Sequence, residues 1–537
     1  MKVRLVALNA HYMHTNLALR QMLAALPEHE GAELFEAHIN LPFRELLERV
    51  AEGAPDAIGF STYIWNAPLI WRLCRALKLA LPGAFLFAGG PEVCEARETM
   101  EAHPELDGVL SGEGEAALAQ LIAALSGGLL ADVPGLCRRS GGAIVGNPPP
   151  QPLPTGVWPD AWAGGLAGLE GRILYTETSR GCPYRCAYCL SGGSGGVRAL
   201  SAREAVRRLT RMAENGARLI KLVDRTFNFD RARAAEIWRG LIEHSEKSGL
   251  KPTYHFEIGA HLLDEAAFEV LARAPEGLFQ FEAGIQSSDD GVLRAVGRAV
   301  PFEALRLKLV RLKALGRAHL HVDLIAGLPG ETTQTFARSF DDAFGVGADM
   351  LQLGFLKLLP GSALRRDAEA LGIRYEPDPP YEVLSTPGLG FFELCFLKDV
   401  ERALDWYHNS GRYVHALRWL LTARAPFELF AQIARSLRAR GAFDRAQGEQ
   451  ARATLLLELY DAPELRELMT HDLLLAGRRR DLPAALCYEE DGPLRALLRE
   501  RFRPVRGQSA RRYAFDVEAF AMGGALERRE TVVVYTP

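Results

Sequence analysis

Three cysteines, Cys182, Cys186 and Cys189, lie close together in the spacing C-x3-C-x2-C. The chain has eight cysteines, and this clustering is typical of a metal site rather than of disulfides. A structural zinc site usually has four protein ligands, but no fourth cysteine or histidine follows nearby in the sequence. Three thiolates suit a [4Fe–4S] cluster with one open iron, which can chelate the amino and carboxylate groups of a small molecule. A zinc knuckle and three adjacent core cysteines are the alternative interpretations.

The elements that must position this loop alternate between apolar runs and helical patterns. Residues 1–130 are predicted to be a doubly wound, Rossmann-like α/β domain, whose ligands would bind at the carboxyl ends of its strands. Residues 131–168, rich in glycine and proline, are predicted to be a linker. Six βα units follow within residues 169–365. Eight would make a full barrel, so six predict a partial (β/α)6 barrel of the TIM type.

The rest of the chain, residues 366–537, is predicted to be a mainly helical domain whose tail returns as strands at 513–520 and 530–535. The totals describe an ordinary globular protein, with 48% apolar and 24% charged residues and a net charge of −4. No bulk attraction to nucleic acid or to an anionic membrane follows from that charge. Neither a signal peptide nor an apolar stretch of about 20 residues is visible, so we expect a cytoplasmic protein without a membrane partner.

The cysteine motif, its place after the first barrel strand and the aromatic Tyr188 before the third cysteine resemble the radical S-adenosylmethionine (SAM) superfamily. The resemblance covers roughly residues 170–360. It implies that a reduced cluster passes one electron to the SAM sulfonium, which breaks into methionine and a 5′-deoxyadenosyl radical. An electron donor such as flavodoxin or ferredoxin would then be a partner. The cofactor carries the hard chemistry, and the protein orients it and excludes water and oxygen.

The same resemblance assigns residues at successive strand ends to SAM binding. Gln286 and Arg298 resemble a pair that holds the methionine part, and a carboxylate suits the planar guanidinium. Asp224 lies in the segment after the second barrel strand, and that segment resembles a sequence variant found in cobalamin-dependent members. Glu257 would bind the ribose or the amino group of SAM. Each acid could instead cap the next helix, and Arg298 could be a surface residue. The remaining cofactor contacts expected here are Tyr188, Glu282, Asp323 and Gly327.

The first domain resembles the B12-binding domains that precede many radical SAM barrels. Its glycines would let a corrin approach the backbone closely, and Tyr63 or Trp65 would pack on the corrin face. A motif that supplies a lower cobalt ligand in some B12 enzymes is absent, so that ligand would be His11, His14 or none. The alternative is a degenerate domain that binds nothing. This resemblance predicts that cobalamin is contacted by Tyr63, Trp65, Gly89, Gly90, Gly112, Glu113 and Gly114.

The leading hypothesis is a cobalamin-dependent radical SAM methyltransferase that methylates an unactivated carbon of a small-molecule or peptide substrate. One SAM would methylate cobalamin and a second would yield the radical that removes a substrate hydrogen. A second hypothesis keeps the radical but replaces methyl transfer with rearrangement, cyclisation or oxidation. A third is a non-catalytic cobalamin or redox sensor with a vestigial barrel.

Overall fold

The computed structural model describes residues 1–27, 31–191, 196–477, 482–487, 492 and 509–535. Two units divide the chain. The first comprises Met1–His321, Gly327–Gly330 and Phe355–Pro387, and the second comprises Val322–Ala326, Glu331–Gly354 and Gly388–Pro537. Within the described residues, no helix is long and apolar enough to cross a membrane.

The first unit begins with a seven-stranded sheet in the order β2-β1-β3-β4-β5-β6-β7. The first five strands are parallel, and the order 2-1-3-4-5 places a topological switch point between β1 and β3. The strands are β1 Val3–Asn9, β2 Ala32–His38, β3 Ala57–Ser61, β4 Phe85–Gly89, β5 Gly108–Leu110, β6 Leu136–Ser140 and β7 Ala143–Gly146. The helices are α1 Leu17–Ala24, α2 Phe43–Ala51, α3 Ala67–Ala80, α4 Ala96–Ala102 and α5 Gly114–Leu125.

Two features of this sheet differ from the sequence expectation. The edge strand β2 was not among the predicted strands, because its mixed polar and apolar residues are only half-buried. Strands β6 and β7 form an antiparallel hairpin within the segment predicted to be a linker, and they extend the sheet beyond β5. The turn glycines Gly141 and Gly142 both have positive φ, so the composition that predicts a linker here makes a tight turn.

A second sheet contains the six predicted barrel strands in the order β15-β14-β13-β12-β11-β8. Along β13 burial alternates strictly, so every second side chain faces the helices and the others face the barrel interior. The strands are β8 Ile173–Thr176, β11 Leu219–Leu222, β12 Thr253–Glu257, β13 Phe279–Gln286, β14 Ala318–Ala326 and β15 Met350–Phe355. Short strands elsewhere are β9 Ser179–Arg180, β10 Arg198–Ala199, β16 Arg374–Tyr375 and β17 Val383–Ser385. The helices are α6 Ala202–Glu214, α7 Arg231–Ser248, α8 Glu265–Leu271, α9 Asp290–Ala295, α10 Phe302–Ala314, α11 Thr333–Phe344 and α12 Ala363–Arg366.

The free side of β8 is met by the loop that follows β1 of the first sheet. The Ile173 N–H donates to the Met13 carbonyl at 2.7 Å, and the Thr15 hydroxyl donates to the Ile173 carbonyl at 2.9 Å. His14 and Ile173 form an isolated parallel bridge. Backbone groups that an edge strand would leave unpaired are therefore satisfied by the first domain.

The C-terminal part of the second unit is mainly helical, as expected. Tyr407, Tyr413 and Phe430 are buried in its core. The elements are α13 Phe391–Leu404, a π-helix at Asp405–Asn409, α14 Val414–Leu420, α15 Pro426–Ala439, α16 Glu449–Leu459, α17 Pro463–Leu475, β18 Ser509–Tyr513 and β19 Thr531–Tyr535. Strands β18 and β19 pair antiparallel. The strand expected over 513–520 is wrong beyond Tyr513, because Val517–Ala521 is a helix that Asp516 caps.

The packing of β3 generates a stability prediction. A Cβ on Gly59 would lie 2.3 Å from the ring of Phe87 on the neighbouring strand. Gly59→Ala should therefore destabilise the protein by about 1–3 kcal/mol through overpacking, measured by thermal unfolding. Adding Phe87→Leu should restore part of the loss. The control is Gly83→Ala, where a Cβ meets no atom within 4 Å; equal melting temperatures for the two alanine variants would contradict the packing argument.

Candidate active site

The three cysteines lie in a loop, here called the cysteine loop (residues 181–191 and 196–197), which leaves the barrel after β8. The loop is closed at its base by the antiparallel pairing of β9 with β10, here called the neck. The Ala187 N–H donates to the Val296 carbonyl at 2.9 Å, and the Leu364 N–H donates to the Ala187 carbonyl at 2.9 Å. The loop is thus held by backbone contacts from two other parts of the first unit.

A glycine beyond the fourth barrel strand allows this close approach. Gly297 has φ 76°, and a Cβ there would lie 2.9 Å from the Arg185 carbonyl oxygen. A side chain at this position would be strained and would also push the cysteine loop away. The turn after α9 is therefore shaped to receive the loop.

The thiols of Cys182, Cys186 and Cys189 are all half-buried. Burial raises the pKa of the Cys186 thiol, and the positive charge of Arg298 opposes that rise. In the described part of the chain, no three His, Cys, Asp or Glu side chains converge on one point as ligands of a single ion do. The thiolates of a four-iron cluster each bind a different iron and need not converge. Three cysteines in one accessible loop beside a guanidinium are a donor set that fits such a cluster.

Asp224 lies directly below the neck and is fully buried. Its carboxylate accepts from the Thr178 N–H at 2.7 Å, the Thr178 hydroxyl at 2.6 Å and the Ser179 hydroxyl at 2.6 Å. Burial raises the pKa of Asp224, and these hydrogen bonds oppose the rise. Arg233 donates to the Thr178 hydroxyl at 2.8 Å from the other side. The described contacts of Asp224 are therefore with the entry to the cysteine loop.

Arg298 reaches back across β13 toward the cysteine loop. Its guanidinium donates to the Gly284 carbonyl at 2.7 Å and to the Tyr188 hydroxyl at 3.3 Å. Burial raises the pKa of the Tyr188 phenol, so Tyr188 remains a neutral hydrogen-bonding group near pH 7. The structure thus brings Arg298, 110 positions away from Tyr188 in the sequence, beside Tyr188 and Cys186.

Gln286 ends β13 with φ 71°, which is uncommon for a residue other than glycine. Its side chain folds back over Gly284, where a Cβ would lie 2.1 Å from the Gln286 amide nitrogen. Among the described residues the buried Gln286 Oε1 has no hydrogen-bond partner. A strained backbone and an unpaired buried acceptor are costs that functional sites commonly carry.

The barrel interior below these residues is polar. Glu257 and Glu282 are paired in register on β12 and β13. The Glu282 carboxylate lies 3.1 Å from His255 Nε2 and 3.7 Å from His321 Nδ1. Burial, together with the nearby charges of Lys221 and His321, lowers the pKa of His255 to about 3. His255 is therefore a neutral imidazole near pH 7.

Sequence reasoning missed His255 and His321 as site residues. The signal that could have found them is the two-residue period of the strands. His255 has the parity of Glu257, so the two side chains face the same side of β12. His321 has the parity of Asp323 on β14.

Two predicted SAM contacts follow β13 in the chain. Asp323 lies on β14 in the part of that strand that belongs to the second unit, and it is half-buried. Gly327 is buried just after β14 and has φ 93°. Their roles remain predictions.

An exposed aromatic surface lies at the switch point of the first sheet. Tyr63 and Trp65 follow β3 and are stacked with ring centroids 4.4 Å apart and planes 8° from parallel. Trp65 is 45% exposed, and Tyr12 in the loop after β1 is 65% exposed. The Trp65 indole N–H donates to the Leu8 carbonyl at 3.3 Å, which links the segment after β3 to the end of β1. Large exposed apolar groups at a ligand-binding edge fit a flat macrocycle such as a corrin.

The glycines at the other strand ends are tightly packed. Gly90 has φ 113°, and a Cβ would lie 2.5 Å from the Thr62 carbonyl oxygen. Gly112 has φ 86°, and a Cβ would lie 2.7 Å from Pro150. Gly89 and Gly114 lie at the end of β4 and the start of α5. The corrin contacts predicted at these positions stay predictions.

The two candidate cobalt ligands have different surroundings. His14 Nδ1 lies 2.7 Å from the Tyr175 hydroxyl on β8, and burial lowers its pKa. His11 is exposed in the same loop, with its ring 6.1 Å from that of His14. One nitrogen of His14 is thus already engaged by the barrel.

The chain matches three known families in succession. Residues 3–122 match the B12 binding domain, residues 176–343 match the radical SAM superfamily and residues 369–504 match a protein family of unknown function, DUF4080. These matches confirm the predicted resemblances.

Two relatives are methyltransferases. The chain is 30% identical over 313 residues to the 2-(S-pantetheinyl)-carbapenam-3-carboxylate methyltransferase of Streptantibioticus cattleyicolor, covering 54% of this chain and 44% of that protein. It is 28% identical over 371 residues to the cobalamin-dependent radical SAM methyltransferase TokK of Streptomyces tokunonensis, covering 63% of this chain and 52% of that protein. The chain spans about half the length of these curated relatives.

The fold is shared with a solved structure. The cobalamin-dependent S-adenosylmethionine radical enzyme OxsB, with aqua-cobalamin and S-adenosylmethionine bound, has a TM-score of 0.62 at 16% identity, covering 93% of this chain and 83% of that chain. This likeness confirms the predicted fold class of Rossmann-like domain, partial barrel and helical C-terminal domain.

The cysteine loop generates a prediction about iron. Anaerobically reconstituted protein should contain about four irons per chain, and a variant with Cys182, Cys186 and Cys189 changed to alanine should contain almost none. The measurement is iron and sulfide analysis with the visible absorption spectrum. Cys74→Ala, which removes a thiol buried in the first domain, is the control and should keep the iron. Equal iron in the triple variant would show that other residues bind it.

Proposed function

We propose that this chain, a member of the radical SAM superfamily with a B12-binding domain ahead of its barrel, is a cobalamin-dependent methyltransferase. Its substrate would be an unactivated carbon of a small molecule or peptide. The chain would combine a cobalamin domain over residues 1–130, a linker over 131–168, a radical SAM barrel over 169–365 and a helical domain over 366–537.

The observation that carries the proposal is the closeness of the two ligand-binding edges within the first unit. Tyr63, at the switch point of the first sheet, lies near Arg225, whose positive charge opposes the burial that raises the Tyr63 pKa. Thr226, the next residue, lies 3.6 Å from the Cys182 sulfur. A ligand on the aromatic surface of the first domain would therefore be a neighbour of the cysteine loop.

The cluster, when bound, would supply the electron that cleaves SAM, and cobalamin would carry the methyl group. Cys182, Cys186 and Cys189 would hold the cluster through three irons. The planar aromatic pair at Tyr63 and Trp65 would support the corrin, with the backbone at Gly89, Gly90, Gly112, Glu113 and Gly114 lining the strand ends.

Arg298 would receive the SAM carboxylate, because its guanidinium lies beside Cys186 and offers a planar pair of donors. Gln286 supports this assignment with its unpaired buried oxygen, which can accept from an ammonium group. Glu257 and Glu282 would bind hydroxyl or amino groups from the barrel interior. Tyr188, Asp323 and Gly327 would complete the SAM site, while Asp224 would act through the loop entry that it holds.

The proposal includes a reducing compartment and an electron donor. Thiolate-bound iron is stable where disulfides do not form, as in the cytoplasm. A flavodoxin or ferredoxin is the class of protein that delivers single electrons at the low potential required.

Deuterium transfer tests the function directly. Full-length protein, reconstituted with iron, sulfide and hydroxocobalamin, would be reduced anaerobically with methyl-deuterated SAM and a candidate substrate taken from neighbouring genes. We expect one 5′-deoxyadenosine for each product, and a product heavier by the complete deuterated methyl group. Mass spectrometry reads both.

The other outcomes separate the competing functions. A changed product without the label, formed with 5′-deoxyadenosine, would favour rearrangement, cyclisation or oxidation. Undetectable binding of cobalamin by the full-length protein would contradict cobalamin-dependent methyl transfer. No 5′-deoxyadenosine under any condition would favour a non-catalytic sensor.

SAM affinity tests the role of Arg298. Losing a hydrogen-bonded charge typically costs about 1.5–3 kcal/mol, so Arg298→Ala should weaken SAM binding roughly ten- to a hundred-fold. Arg298→Lys should recover part of the affinity, because it restores the charge without the planar fork. The measurement is the SAM-induced change of the reduced cluster's EPR signal, with iron content determined in parallel. Arg294→Ala, at an exposed site on α9, is the control; equal affinity in Arg298→Ala and this control would exclude the assignment.

A further inference from the structure

The neck of the cysteine loop brings two arginines together. Arg180 on β9 and Arg198 on β10 are direct cross-strand partners. Like charges directly opposite one another destabilise a strand pair. An isolated neck with this sequence would therefore open, and the structure must supply carboxylates to close it.

Both arginines bind one carboxylate of the first domain. Glu113, in the segment between β5 and α5, lies 3.0 Å from Arg180 Nη1 and also forms an ion pair with Arg198. Leu153 reinforces the arrangement, because its N–H donates to Glu113 at 2.8 Å and its carbonyl accepts from Arg198 at 2.7 Å. Glu113 therefore cancels the repulsion across the neck from a different domain.

Arg180 has two further carboxylate partners. Its Nη2 lies 2.6 Å from Glu177 and also pairs with Glu115, which is 95% buried. Trp158 covers both guanidiniums, with Arg180 at 4.6 Å and Arg198 at 5.6 Å from its ring centroid. The set Glu113, Glu115, Glu177, Arg180 and Arg198 is here called the ionic clamp.

The ionic clamp is sensitive to the loss of either cation. Three carboxylates face two guanidiniums, so one negative charge is in excess before any substitution. Burial raises the pKa of Glu177, and Arg180 opposes that rise. Removing Arg180 would leave Glu115 and Glu177 with little positive charge beside them, which is a costly state for partly buried carboxylates.

We propose that the ionic clamp fixes the cysteine loop against the B12-binding domain, so that cluster and cobalamin keep one separation, with Arg180 as its central positioning residue. The inference rests on the proposed function. Glu113 and Glu115 belong to the Gly-Glu-Gly-Glu segment that resembles a B12-binding motif, and their carboxylates face the neck. The same segment would thus contact cobalamin through its backbone and hold the cluster loop through its side chains.

The separation of the two cofactors can be measured without turnover. The reduced cluster and cob(II)alamin are both paramagnetic, and their dipolar coupling falls with the cube of the distance between them. In the reconstituted full-length protein we expect one well-defined coupling. Arg180→Gln should broaden the coupling into a range of distances while iron and cobalamin contents stay those of the unsubstituted protein. Glu113→Gln should broaden it less, because Arg180 keeps two carboxylates.

The control is Arg207→Gln, which removes an arginine from an exposed ion pair with Glu204 on α6. It should leave the coupling unchanged. A purely stabilising clamp predicts a lower melting temperature for Arg180→Gln with an unaltered coupling, and that result would overturn the proposal. If Arg180→Gln fails to fold, Arg180→Lys and Glu113→Gln carry the same comparison.

Amide hydrogen exchange separates failure of the proposed function from failure of the clamp. If the unsubstituted protein binds no cobalamin, the proposed function fails and the clamp is judged on residues 181–191 alone. Their exchange should become about ten-fold faster in Arg180→Gln, which corresponds to about 1.4 kcal/mol of local stability. Equal exchange in Arg180→Gln and Arg207→Gln would overturn the clamp as well.

Discussion

A carboxylate that has lost all contact with water sets the starting point of the cysteine loop. Full burial raises the pKa of Asp224, and three donors from Thr178 and Ser179, which replace its water, oppose that rise. Thr178 immediately precedes the neck and Ser179 is its first residue, so the need to satisfy the buried carboxyl fixes where the loop begins. Two residues after Asp224, the Thr226 hydroxyl lies 3.6 Å from the Cys182 sulfur, so the same turn contacts the cysteine loop a second time.

The barrel differs from a packed core in the residues that face its interior. Filled barrels of this type contain layers of branched apolar side chains, but here β11, β12 and β13 contribute Lys221, His255 and Glu282 to the inside. Burial and the nearby charge of Lys221 lower the pKa of His255 and keep it neutral, so its imidazole can accept and donate hydrogen bonds without adding to the positive charge of Lys221. An interior of this kind suits polar ligands, in agreement with the positions of Gln286 and Arg298 at its upper end.

The sequence was most informative where the spacing of one residue type, or the repeat of apolar residues along a strand, decides the structure. The six barrel strands and the cysteine loop were predicted, because buried strands form continuous or alternating apolar runs and the cysteine spacing is rare. Strand β2 and the β6–β7 hairpin were missed, because a half-buried edge and a glycine turn have weak patterns. The ionic clamp could not be predicted, since Glu113 and Arg198 are 85 positions apart. Glu113 was predicted to be a cobalamin contact from its motif, and only the fold shows that its carboxylate faces the neck.

The contact between the first domain and β8 affects whether the barrel can be separated from the first domain. Residues 13–15 continue the hydrogen bonding of the barrel sheet beyond its edge strand β8. A barrel expressed without its front domain would present that strand's backbone to any other extended chain and would tend to aggregate. Any rearrangement of the gene that separated the two domains would therefore expose this unpaired strand edge before any chemistry was lost.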